Sequence, residues 1–106
     1  MSRGFLEGGL YRLGTTQAIS VTSTSTAIGS AFGAQTFGVR LSVGAVSATS
    51  TVVHYRVGDG TQTATTSDPV IPNTWVETIL VSPGQRLSAI CDATGTATLL
   101  VTELTQ

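Results

Sequence analysis

The 106-residue chain, 10.9 kDa in mass, is long enough for one small domain and too short for two. Charged residues make up only 10% of it, against about 25% in an ordinary soluble domain. With 19 Thr, 11 Ser, no Lys and 5 Arg against 6 acids, it must draw solubility from hydroxyls or bury surface in an assembly. A net charge of −1 with dispersed Arg leaves no electrostatic footprint for nucleic acid. No run of about 18 apolar residues is present to cross a membrane, and residues 1–7 lack the apolar core of a secretory signal. The single Cys91 and single His54 supply neither a disulfide nor a zinc cage, so no metal and no cofactor are expected.

In residues 1–16, Gly4, Gly8, Gly9 and Gly14 interrupt Phe5, Leu6, Leu10, Tyr11 and Leu13, with Arg3, Glu7 and Arg12 among them. So many glycines cost too much backbone entropy for a helix. The segment reads as an extended N-terminal arm that docks its apolar side chains on a neighbouring subunit. The alternative is a frayed terminus or an edge strand of its own domain.

Residues 17–106 read as one β domain, rich in Val, Ile and Thr. Ala18–Thr22 is a short strand with Ile19 and Val21 on one face, and residues 23–30 form a loop or a weak strand. Thr36–Val43 alternates cleanly, placing Phe37, Val39, Leu41 and Val43 inward and Gly38, Arg40 and Ser42 outward. Thr51–Val57 sets Val53, Tyr55 and Val57 against Val52, His54 and Arg56.

Gly58-Asp59-Gly60 carries the signal of a tight hairpin turn. Pro69 and Pro72 fence Val70-Ile71 into a loop or an edge strand. A strand follows over Trp75–Val81, then Ser82-Pro83-Gly84-Gln85 fits a type II turn. Arg86–Cys91, a turn at residues 92–95 and a last strand to Leu104 complete the chain. Six or seven short strands with turns every 8–12 residues predict an all-β fold, a single antiparallel β-sandwich of jelly-roll-like form.

Catalytic chemistry has little material. His54, the only available base, sits mid-strand, and no Gly-x-Ser-x-Gly elbow presents a nucleophile. Asp59, Asp68 and Asn73 do not match an EF-hand spacing and read as turn formers. Cys91 reads as a small buried thiol. Trp75 reads as a core or loop-anchoring side chain, with a sugar-stacking platform as the alternative. Arg40, Arg56 and Arg86, one to a strand, suit bidentate pairing at interfaces.

His54-Tyr55-Arg56-Val57-Gly58, residues 63–73 (TATTSDPVIPN), residues 81–90 (VSPGQRLSAI) and the ending Gly95–Leu104 together resemble a known group. It is that of the small structural proteins encoded in virion modules of tailed bacteriophages. The likeness covers residues 51–104, about half of the chain. It implies a capsid cement, or decoration, protein: a β-sandwich or jelly roll that assembles as a homotrimer on the head exterior and binds the major capsid protein. It carries over no catalytic residues. A tail, neck or fibre component is the second reading, and a carbohydrate-binding module using Trp75 the third. Arg3, Phe5, Leu6, Leu10, Tyr11, Arg12, Leu13, Arg40, Arg56 and Arg86 are the expected interface residues.

Overall fold

Alternation of β-branched and polar residues along short, turn-bounded runs produces eight strands and, among the described residues, no helix. The computed structural model describes residues 11–47, 51–72, 75–92 and 95–105. The strands are β1 (Arg12–Val21), β2 (Thr26–Ala27), β3 (Thr36–Gly44), β4 (Val52–Gly58), β5 (Val70–Pro72), β6 (Val76–Leu80), β7 (Arg86–Cys91) and β8 (Ala97–Thr105). They form two antiparallel four-stranded sheets: sheet A, ordered β1-β8-β3-β6, and sheet B, ordered β2-β7-β4-β5. First pairs with last, second with seventh, third with sixth and fourth with fifth, and β3–β8 and β4–β7 contacts complete the sheets.

The core of this sandwich-like pair of sheets comes from the inward positions of both. Ile19, Val39, Leu41, Leu99 and Val101 of sheet A share one buried cluster with Val53, Ile71, Leu87 and Ala89 of sheet B. Each large aliphatic side chain buried there contributes about 1.5–3 kcal/mol. Cys91 joins the cluster at 1% exposure, as a buried thiol.

Several expectations shift in detail. β1 begins at Arg12 and pairs with β8 from Arg12↔Thr105 onward, so strand pairing starts inside the segment read as an arm. The inward set of β3 is Val39, Leu41 and Val43 as expected, but Phe37 is half-buried and Thr36 is buried. A register shift between Thr36 and Gly38 is the cause, because one extra residue reverses which side chains face the core. Gly38 itself admits no side chain easily, since a Cβ there would lie 3.0 Å from the Ile79 carbonyl oxygen.

The turns also divide. Ser82-Pro83-Gly84-Gln85 closes with the Gln85 N–H donating to the Ser82 carbonyl at 3.2 Å, and Gly84 takes φ +84°. That is the geometry a type II turn demands. Gly60 also adopts positive φ, at +70°. Yet the Asp-Gly turn does not join a tight hairpin: residues 59–69 intervene before β5 pairs back through His54↔Val70.

Candidate functional site

The two outer faces of the molecule differ in chemistry, and the difference follows from where the long 59–69 loop goes. It lies across the outside of sheet B. The Ser88 hydroxyl, outward on β7 and fully buried, donates to the Gln62 carbonyl. The Ala64 N–H donates to Ser25 Oγ at 2.9 Å, and Ala64 is 2% exposed. His54 Nδ1–H donates to the Asp68 carbonyl at 3.0 Å, which fixes the tautomer of a half-buried ring.

Asp68 anchors the end of this loop. Its Oδ2 accepts the Thr65 N–H at 2.8 Å, while Oδ1 accepts Arg56 Nε at 3.2 Å and Nη2 at 3.0 Å. The Thr65 amide, and then the Arg56 guanidinium, hold its carboxyl below the usual carboxylate range. Arg56 therefore pairs within its own chain, with both donors on one carboxylate oxygen.

No hydrogen bond among the described residues ties a loop over the outside of sheet A, although Leu104, outward in the row Leu13–Leu104–Gly38–Leu80, is fully buried. Register and alternation place Ala18, Leu100, Ser42 and Val76 in one row across the four strands, and Thr16, Thr102, Arg40 and Thr78 in the next. A hydrogen bond of 3.0 Å between the Thr16 and Thr102 hydroxyls runs along the second row. Leu80 is 69% exposed, Leu13 59%, Val76 49% and Leu100 41%. Arg40 is the one charge in these rows. The exposed apolar side chains thus flank a central row of threonines and Arg40, with Leu100 and Val76 on one side and Leu13 and Leu80 on the other.

Two carboxylates, the half-buried Glu77 and the buried Glu103, have defined partners. Tyr55 Oη donates to Glu77 Oε1 at 2.8 Å, linking β4 of one sheet to β6 of the other. Burial, followed by that bond and the Glu77 charge, pushes the Tyr55 phenol up to about 12. Glu103, 7% exposed, accepts the Gly33 N–H at 3.0 Å and the Thr36 hydroxyl through Oε1. Burial and the neighbouring Asp92 raise the Cys91 thiol, which disfavours the thiolate. A shallow cavity of about 280 Å³ is lined by Ala34, Gln35, Thr36, Phe37, Val81 and Pro83, none of them titratable. Among the described residues, no three His, Cys, Asp or Glu side chains group as a metal site.

The expected interface residues do not form one site. Tyr11 is half-buried, and Arg12 and Leu13 are exposed on β1. Arg40 lies on the outside of sheet A, Arg56 on the outside of sheet B, and Arg86 is half-buried opposite Gly58. Arg3, Phe5, Leu6 and Leu10 lie outside the described residues, as does Asn73. Trp75, expected in the core or holding a loop, is instead 58% exposed, beside the edge strand β6. The outer rows of sheet A were hidden in the sequence because they depend on β3 pairing with both β6 and β8. The outward set Gly38, Arg40 and Ser42 was their only visible signal.

No protein-family model, curated protein or solved structure matches the chain.

Proposed function

We propose that this chain is a non-enzymatic structural protein of a tailed-phage virion: a cement protein that sits on the capsid exterior and binds the major capsid protein as a homotrimer. The observation that carries this reading is the inequality of the two faces. The 59–69 loop packs on the outside of sheet B, though Val70 stays 46% exposed there, whereas the outside of sheet A leaves Leu13, Leu80, Val76 and Leu100 exposed around a row of threonines and the single charge of Arg40. In a chain with so few charges, that surface needs a macromolecular cover to stay soluble.

The strand pairing supports a jelly roll, since winding one long antiparallel hairpin about itself generates this first-with-last order, and jelly rolls recur in capsid domains. DNA packed in a head pushes capsomers apart. A bridging subunit resists with buried area spread over many weak contacts, and engagement at three points adds avidity without new chemistry. An extended arm, reaching beyond the sandwich, enlarges that area.

Antibody-gold labelling of intact particles produced from the genome that encodes this chain tests the reading. Label on the heads is expected. Label confined to tails or fibres would move the protein to the tail, neck or fibre, and unlabelled particles lacking the protein would overturn the virion assignment. The exposure of Trp75 favours one further reading, a carbohydrate-binding module with that ring as stacking platform. Binding on a glycan array that Trp75→Ala abolishes would establish it.

A further inference from the structure

Two four-stranded sheets have four edges, and three of these are guarded. β2 is two residues long, and β5 is three, preceded by Pro69 and ending in Pro72, so neither offers a run of free backbone. β1 carries a register shift between Leu13 and Thr16, and its Gln17 side chain holds the Ser30 main chain through both amide atoms. Beyond its end the chain turns to sheet B, where the Cys91 N–H donates to the Thr22 carbonyl at 2.8 Å. β6 has none of these devices. Its residues, Val76 to Leu80, include no proline and one charge, and the Glu77 carboxylate is turned inward to the Tyr55 hydroxyl.

Parity fixes which backbone groups this edge presents. The Val81 N–H donates to the Phe37 carbonyl at 3.0 Å, and the register continues with Ile79 opposite Val39 and Glu77 opposite Leu41. Hydrogen-bonded pairs alternate along an antiparallel ladder, so Glu77 and Ile79 point their N–H and C=O at β3, while Val76, Thr78 and Leu80 point theirs away. No strand among the described residues pairs with that side of β6. All three of its side chains are exposed, Leu80 at 69% and Val76 at 49%, with Trp75 beside them at 58%.

We propose that the β6 edge pairs antiparallel with the β6 edge of a second copy, about a two-fold axis at Thr78, joining two copies of sheet A into one continuous sheet. Thr78 then faces Thr78, and Val76 faces Leu80 in both directions. These are the residues whose backbone is free, so each facing pair exchanges two main-chain hydrogen bonds. The exposed valine and leucine cover one another, and Glu77 lies opposite Ile79, so no like charges meet. Neighbouring registers do worse. One centred on Glu77 sets carboxylate against carboxylate, and one centred on Ile79 carries Val76 past the end of the opposing strand, to Ser82.

This contact is separate from the three-fold assembly proposed above and does not rest on it: it joins whatever species the chain forms to another of the same kind. A strip about 16 Å long, at ~3.3 Å per residue, falls short of the roughly 1,200 Å² of a stable complex. Pairing therefore needs concentrated protein, or copies held side by side on a surface.

Charge at the crossed pair tests the proposal. Val76→Asp combined with Leu80→Asp sets like charges at both facing pairs, whereas Val76→Lys combined with Leu80→Asp sets opposite ones. Within one chain the two positions lie about 13 Å apart along the strand, so any advantage of the second variant comes from the other copy. Sedimentation velocity from micromolar to millimolar concentration should show the parent's mass rising at least twofold. The doubly acidic variant should need about tenfold more protein for that rise, and the mixed-charge variant should pair like the parent. Thr78→Cys under mild oxidation should give a disulfide-linked dimer, because residues facing each other in a hydrogen-bonded pair lie about 5.5 Å apart at Cα. Ser20→Cys, also exposed but on β1, should not, and the buried Cys91 does not compete. Circular dichroism checks that each variant stays folded. A parent whose mass never rises, or a doubly acidic variant that pairs as readily as the parent, overturns the proposal. Equal weakening of both charge variants, or no dimer from Thr78→Cys, overturns it too, because the register is then wrong. The mass of the species at low concentration decides the three-fold reading separately.

Discussion

Tyr55 on β4 donates its hydroxyl to Glu77 on β6 across a distance of 2.8 Å, so one hydrogen bond ties sheet B to sheet A. Tyr55 is 8% exposed, and Glu77 is half-buried on an edge strand. The bond satisfies a phenol that the core would otherwise leave without a partner. Tyr55→Phe keeps the ring and removes the donor. A loss of about 1–2 kcal/mol in urea unfolding is expected, at the lower end for a bond to a charged group because Glu77 is partly in water.

The same pair sets an alkaline limit. Folding raises the phenol from 10.0 to about 12, so the folded state holds the proton more tightly than the unfolded chain. Its contribution is complete below the ordinary phenol value and is lost as pH rises towards 12. Unfolding midpoints measured between neutral pH and that limit should fall for the parent. The Phe variant should fall less steeply over the same range.

Asp68 governs the loop that packs on the outside of sheet B. Its carboxyl is held low by the Thr65 amide and then by Arg56, so what it adds to stability is present above the ordinary carboxylate value and disappears as pH falls through the lowered one. Asp68→Asn keeps the size but weakens both contacts. Hydrogen exchange should accelerate at Thr65 and across residues 59–69, with the β7 and β8 amides unchanged. Acidification of the parent should reproduce that pattern.

The face of sheet A separates assembly from folding. Leu80→Asp and Val76→Asp alter side chains that are already 69% and 49% exposed. Stability should shift by about 0.5 kcal/mol or less, while assembly is lost. Trp75→Ala, at 58% exposure, should likewise leave the melting temperature close to that of the parent. Its large ring is outside the core. If Leu80→Asp instead unfolds the chain, the face is part of the folded subunit's own packing.

Much of this architecture was legible in local pattern. The inward residues of β3 and β4, the β7 strand and the Pro83-Gly84 turn follow from alternation and from turn chemistry that acts over four residues. What was not legible depends on pairing between distant strands. The sequence around Phe37 alternates perfectly, but the register shift against β8 turns Thr36 inward to meet Glu103. Trp75 resembles a core residue by type, yet it precedes an edge strand that only β3 pairs. Tyr55 and Glu77 meet across sheets, which no spacing along the chain announces. The outer face of sheet A was invisible for the same reason: its rows are assembled from four strands widely separated in sequence.

Assembly of the intact chain is the property on which the functional reading turns, and sedimentation equilibrium over a range of micromolar concentrations measures it. The expected mass is three times the 10.9 kDa chain, falling to one chain mass when residues 2–10 are deleted, with the far-ultraviolet spectrum of the deletion variant still that of a folded β protein. A parent that sediments as a stable 10.9 kDa monomer throughout, with the face of sheet A uncovered, would contradict it.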